Sequence, residues 1–285
     1  MQFGDYRVEV VPDTEFRLDG GAMFGVVPRT LWARVCPPDE QNRIRLNMNC
    51  VFLDTGDERI LIETGIGEKW SAKHVELFGI TRRRALGESL WAIGVEPDSI
   101  SIVINTHLHF DHAGGNTMLD ANGRAVPAFP NARYFVSRGE VEHAETPTER
   151  DRASYLAENW RPLAASGQLE LKSADYEVVP GLRMQTYPGH NRTMQCWRLD
   201  RDGQTLFGFA DLVPMRAHVS FAWIMGYDLY PAETLEAKKK LLPQAAREGW
   251  TCVFYHDPDE PLCKLIDIKG KLEAIPLECA DLSAL

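Results

Sequence analysis

The chain has 285 residues, 44% of them hydrophobic and 25% charged, which suits a soluble globular protein able to bury a large core without disulfide staples. A formal net charge of −10 repels polyanions and argues against nucleic acid as the main partner. The opening MQFGDYRVEV lacks a basic stretch followed by an apolar run, and no apolar segment reaches the ~20 residues a spanning helix needs, so a cytoplasmic protein with no signal peptide and no membrane partner is expected.

Taken in chain order, the pattern alternates short strands with helices. Residues 7–11 read as a strand. Residues 48–54 and 59–63 flank the turn Thr55-Gly56-Asp57-Glu58 and predict a β-hairpin. A short amphipathic helix is expected over 86–93, and an apolar strand over 101–105. A strand at 133–136 precedes helices at 138–144 and 150–165. Strands recur at 169–172, 182–187, 195–199 and 205–210. Residues 232–242 are rich in Ala, Leu, Glu and Lys and predict a helix, which Pro243 should end or kink. A strand at 251–255 and a hairpin at 262–268 and 271–275 complete the pattern. Without repeats or a long linker, the whole of 1–285 reads as a single domain.

Smaller features fit this frame. The six cysteines, at 36, 50, 196, 252, 263 and 279, show no CxxC pairing and read as reduced thiols. The basic triplets Arg82-Arg83-Arg84 and Lys238-Lys239-Lys240 read as solvated helix faces. The irregular stretch 18–39 holds Gly20, Gly21, Gly25, Pro28, Pro37 and Pro38 among apolar residues. It suggests a flap over a pocket, packing onto the body of the domain, or the contact of a homodimer.

The most informative segment is THLHFDHAGG at 106–115. His107, His109, Asp111 and His112 lie within six residues, a grouping that metal binding explains, since imidazole and carboxylate are ordinary ligands of zinc and similar ions. In an extended segment, His107 and His109 point the same way and can grip one ion. Asp111 and His112 follow the strand and can aim at a second point. His190, Asp211 and His256 each sit just past a predicted strand end, so strand ends that share an edge would bring all of these donors together. His74, His143 and His218 lie outside the pattern and read as surface or packing residues.

These residues resemble the metallo-β-lactamase-fold hydrolases. The resemblance rests on THLHFDHAGG, PGH at 188–190, the ADL carboxylate at 211, FYHDP at 254–258 and ILIETGIG at 60–67, and it covers nearly the whole chain. The look is nearest to the dimetal lactonases of the quorum-quenching type. It implies an α/β fold, a four-layered αβ/βα sandwich with two mixed sheets. It also implies two divalent ions, zinc first and Fe, Mn or Co as alternatives. His107, His109 and His190 would hold one ion, Asp111, His112 and His256 the other, and Asp211 would bridge them. No separate organic cofactor is implied. Three departures stand out. Asn191-Arg192 follows His190 where the group has Thr-Pro, Glu63 replaces an aspartate, and Pro214 takes the place of a tyrosine often found three residues after the bridging aspartate.

The reaction implied is attack of a metal-bridging hydroxide on a lactone or related carboxylic ester, a small-molecule substrate. Asp111 would serve as ligand and could shuttle a proton. Glu63 would accept the far N–H of a ligand histidine. Tyr227 could donate a hydrogen bond to the oxyanion, and Met23, Phe24, Trp223, Met225 and Tyr227 could wall the pocket. Two rival readings are a phosphotriester or aryl-ester hydrolase on the same centre, and a non-catalytic ligand-binding member of the fold.

Overall fold

The structure, a computed structural model, describes residues 1–82 and 84–277. Cys279 and Arg83 therefore lie outside the described residues. The chain forms two compact units. The first comprises Met1–Thr14 and Met48–Tyr176, and the second Glu15–Asn47 and 177–277. Among the described residues no helix is long and apolar enough to cross a membrane.

The first sheet has seven strands, in the order Gln2–Phe3, Tyr6–Asp19, Arg43–Asp54, Arg59–Ile62, Ile102–Ile104, Arg133–Ser137 and Leu169–Lys172. The predicted hairpin is present, with Val51 opposite Ile62 and Asp54 opposite Arg59. From Arg59–Ile62 onward all neighbours are parallel. Their carboxyl ends therefore share one edge, where polar loops collect in open α/β sheets. Ile60, Leu61, Ile62, Ile102, Val103 and Ile104 are all buried, as parallel strands covered on both faces require.

The second sheet runs Tyr176–Val179, Leu182–Thr186, Gln195–Arg201, Gln204–Gly208, Thr251–Val253, Leu262–Ile268 and Lys271–Pro276. Gln204–Gly208 and Thr251–Val253 are parallel, with Gly208 opposite Val253. Thr186 pairs with Gln195, and Trp197 with Gly208. The carboxyl ends of Leu182–Thr186, Gln204–Gly208 and Thr251–Val253 thus fall at the same end of this sheet.

Several expectations need correction. The helix predicted over 150–165 is broken into the turns Arg152–Ser154 and Ala157–Asn159 and the short helix Arg161–Ala165. Tyr155 instead pairs its backbone with His109, and Pro162 opens a new helix. The last helix runs from Pro231 to Glu248 straight through Pro243 and ends at left-handed Gly249. Leu241, Leu242 and Ala245, on both sides of the proline, pack into one core with Phe207 and Trp250. That burial outweighs the lost hydrogen bond. Lys239 and Lys240 are exposed on the last helix as expected, but Arg82 and Lys238 are not part of a solvated helix face. Arg82 faces the buried Asp13 at 3.4 Å and donates to the Gly67 carbonyl. Lys238 is fully buried and donates to the carbonyls of Ser220 and Trp223, and burial lowers its pKa to about 7.

The irregular stretch 18–39 carries two short helices, Gly20–Phe24 and Arg29–Trp32. Met23, Phe24, Val27 and Trp32 are buried in the second unit, so packing accounts for most of its apolar residues. Phe24 stacks on Trp32 and on His218, whose Nε2–H donates to the Met23 carbonyl. Met23, Phe24 and Met225 are core residues, whereas Trp223 lines a cavity of about 680 Å³ together with Val219 and Met215. Cys50, Cys196, Cys252 and Cys263 are buried, and Cys36 is half-buried.

Asp13 offers a pH test of this packing. Burial raises its carboxyl to about 6, although Arg82 and the Ile66 N–H favour its charged form. A raised folded pKa means that the native state binds more protons than the unfolded chain between about pH 4 and 6. The contribution of this group is fully present below that window and is lost as pH rises through it. Asp13→Asn should therefore gain stability relative to the wild type by up to roughly 2–3 kcal/mol between pH 4 and 7. Urea melts across that range check the sign; a difference that stays level with pH would refute it.

Candidate metal centre

In the first unit the motif begins directly after Ile102–Ile104. His107, His109, Asp111 and His112 are all buried. The His107 ring lies 4.6 Å from His109 and 4.0 Å from His112, centroid to centroid. Three imidazoles this close cannot all be protonated without strong mutual repulsion, so the cluster suits neutral rings offering lone pairs.

Glu63 organises this cluster. It follows Arg59–Ile62, adopts a positive φ of 65° and is buried. Its carboxylate accepts from the Thr106 amide at 3.1 Å, from the Thr106 hydroxyl and from the Asn105 amide at 3.4 Å. Because the Thr106 hydroxyl donates to Glu63, it accepts from His107 Nδ1 at 3.0 Å. Glu63 Oε1 also lies 3.3 Å from His112 Nδ1. One carboxylate thus lies beside His112 Nδ1 and, through the Thr106 hydroxyl, orients His107 Nδ1. Although Glu63, His107 and His112 lie close enough for a shared ion, the Glu63 oxygens are already taken by these donors, and its place is behind the imidazoles.

The backbone of the motif is braced from two sides. Glu140, fully buried, accepts from the Leu108 amide at 2.8 Å and from the Tyr155 hydroxyl at 3.0 Å. The Tyr155 ring packs edge-on against His109 at 4.7 Å. On the other side the His112 carbonyl accepts from the Thr64 amide and hydroxyl and from Asn105 Nδ2. A side chain at Gly114 or Gly115 would overlap the carbonyls of Ile66 and Thr64, which explains the AGG that ends the motif. Sequence reasoning missed Glu140 and Tyr155. Their only signal was a lone acid and a tyrosine inside a predicted helical region.

The second unit holds His190, Asp211 and His256, all buried. Asp211 sits in the tight turn Ala210–Leu212 just past Gln204–Gly208. Its Oδ2 lies 3.4 Å from His190 Nε2 and its Oδ1 lies 3.2 Å from His256 Nε2. Each oxygen therefore faces a different imidazole. Both rings are held from behind. His190 Nδ1–H donates to Asp228 Oδ1 at 3.0 Å, and His256 Nδ1–H donates to the Asn47 carbonyl at 3.0 Å. The tautomers place a lone pair on each Nε2, toward Asp211.

These distances and donors fit divalent cations. Two donors ~2.1 Å from one ion at a tetrahedral angle lie roughly 3.4 Å apart. The Asp211 pairs match that separation on both of its oxygens. Asp257, next to His256, is anchored by the amides of Arg216, Asp259 and Glu260 and by the Arg216 guanidinium. Tyr227 is 38% exposed, one residue before Asp228. His143 is held by Asp151 at 2.6 Å, His74 is exposed beside Ser71, and His218 is buried packing with its pKa lowered to about 3 by burial.

Comparison with known proteins agrees with this chemistry. The model of the metallo-β-lactamase superfamily matches residues 44–256. An N-acyl homoserine lactonase of Bacillus thuringiensis is 29% identical over 238 residues, covering 76% of this chain and 84% of the relative. An N-acyl homoserine lactonase of Bacillus cereus is 32% identical over 162 residues, and this match spans 57% of that protein and 53% of the chain. The crystal structure of a probable metal-dependent hydrolase from Staphylococcus aureus is 30% identical, with a TM-score of 0.88, over 99% of this chain and 100% of that one. The chain has the metallo-β-lactamase fold and belongs to the metallo-β-lactamase superfamily as a metal-dependent hydrolase.

Proposed function

We propose that this protein is a dimetal hydrolase that opens a lactone or a related carboxylic ester in the cytoplasm. The observation that carries the reading is Asp211, whose two oxygens face the Nε2 atoms of His190 and His256. That geometry supports a role in which the carboxylate would be shared by two ions. In this reading His107, His109 and His190 hold one ion and Asp111, His112 and His256 the other. Residues 1–285 would then act as one catalytic domain. The family membership and the lactonase relatives support the substrate class.

A pair of divalent ions, zinc in the first instance, supplies a water activated near neutral pH and a Lewis acid for the carbonyl. The residues do the rest. Glu63, Thr106, Asp228 and the Asn47 carbonyl keep the imidazoles oriented, so that no rotation is needed when substrate binds. Asp111, a buried carboxylate of the motif, would be the group that takes up a proton from the attacking water. Tyr227 is the candidate hydroxyl donor to the departing or carbonyl oxygen, in place of the residue that is Pro214 here.

Protein purified without chelator should carry two divalent ions per chain by elemental analysis. Fewer than one, with none regained on adding metal, would remove the basis of the reading. His109→Ala and Asp211→Asn should each nearly abolish hydrolysis while circular dichroism stays native-like; near-wild-type turnover in either would show the donor set to be different. A panel of acyl homoserine lactones, aryl esters and phosphotriesters should show lactones turned over best. Tyr227→Phe should lower kcat on the best lactone by about tenfold or more with unchanged metal content. Unchanged kcat would leave the ions as the only electrophile.

A further inference from the structure

The His190 loop is tied to the start of the last helix through a set of contacts that the family motif does not contain. Leu229 N–H donates to the His190 carbonyl at 2.9 Å and Tyr230 N–H to the Gly189 carbonyl at 2.8 Å. A side chain at Gly189 would overlap Thr234, so the PGH turn lies directly on the first turn of Pro231–Glu248. Between them sits the Asp228 carboxylate, only 2% exposed. Its Oδ1 accepts from His190 Nδ1 and its Oδ2 accepts from the Thr234 hydroxyl at 2.6 Å. Outside this layer, Arg192 pairs with Glu233 at 2.6 Å and stacks over the Tyr230 ring at 3.8 Å. Asn191 closes the turn by accepting from the amides of Thr193 and Met194. The two residues that depart from the usual Thr-Pro therefore have defined structural tasks.

We infer that Asp228 is a positioning residue for His190, a buried carboxylate that selects the Nδ1–H tautomer and strengthens Nε2 as a metal donor, with Thr234 holding the carboxylate in place. This rests on the reading that His190 Nε2 ligates an ion. The physical argument is the second oxygen. A carboxylate anchored at Oδ2 by a hydroxyl has one orientation, so its Oδ1 dictates the ring angle of His190 rather than following it. Asn47, which does the same for His256, offers a neutral carbonyl. Of these two histidines, His190 is therefore the one where charge reinforces the donor.

The test is metal affinity, measured by competition with a chromophoric zinc chelator, together with the visible spectrum of the cobalt-substituted protein. Wild-type zinc binding is the check on the underlying reading; a wild type that binds no zinc refutes that reading, and this inference with it. Asp228→Ala is expected to weaken zinc by about 10–100-fold and to shift the cobalt spectrum. Asp228→Asn should recover part of the loss, because its amide oxygen can still accept from Nδ1–H while its NH2 donates to Thr234. Thr234→Val, which keeps the carboxylate but frees it to turn, should fall between Asp228→Asn and the wild type and serves where Asp228→Ala does not fold. Arg192→Ala, which loosens only the outer layer, should lower the melting temperature without changing affinity. Zinc affinity within twofold of a zinc-binding wild type in both folded Asp228 variants, or an Arg192→Ala loss equal to that of Asp228→Asn, would overturn the positioning role and leave Asp228 as packing.

Discussion

A carboxylate removed from water is stable only when several donors converge on it, and the candidate centre is organised around that rule. Glu63, Glu140, Asp211, Asp228 and Asp257 are all buried. Glu63 gathers Thr106 and Asn105 and stands behind the imidazoles of the motif. Glu140 holds the Leu108 amide between two site histidines. Asp228 and Asp257 do comparable work around His190 and His256. Asp211 differs from the others, because each of its two oxygens faces the Nε2 of a different imidazole, rings whose Nδ1 sides are held by Asp228 and the Asn47 carbonyl. In the proposed reading a cation would balance that buried carboxylate.

This arrangement divides the labour of His107, His190 and His256 between their two nitrogens. Nδ1 is engaged by Thr106, by Asp228 or by the Asn47 carbonyl, which leaves Nε2 as the candidate donor. The holding partners differ in charge and in rigidity. They are where a member of the family can adjust donor strength without altering the donors. The same logic accounts for the departures from the family pattern. Glu63 reaches Thr106 and His112 through its longer side chain, at the expense of a left-handed backbone. Asn191 and Arg192 rebuild the turn after His190 with an Asx turn and a stacked ion pair. Pro214 is used through its carbonyl, which accepts from the His256 amide at 2.8 Å.

Elements governed by local pattern were legible in the sequence. The hairpin at Thr55–Glu58, the apolar strand before the motif, the helix near residue 86 and the last hairpin follow from periodicity and turn chemistry alone. Elements governed by packing were not. Tyr155 reads as part of a helix, yet it serves as a cross-chain partner of His109. Pro243 reads as an end or a kink, and a shared apolar core carries the helix past it. Lys238 and Arg82 read as surface charge, yet each satisfies buried acceptors.

By itself the sequence supplied the candidate donors, because metal chemistry restricts residue type and spacing so tightly that His107, His109, Asp111 and His112 could be singled out unaided. It also put His190, Asp211 and His256 just past strand ends, where the structure has them. Only the tertiary structure decided which side of each imidazole is held, and by what. Those partners are Asp228, anchored by Thr234, and a backbone carbonyl at Asn47, 209 residues from the His256 ring, while Glu140 and Tyr155 brace the motif itself. A hydrogen bond needs a partner at the right distance and angle but almost no particular residue type. Its place in the chain therefore leaves no signature until the backbone has folded.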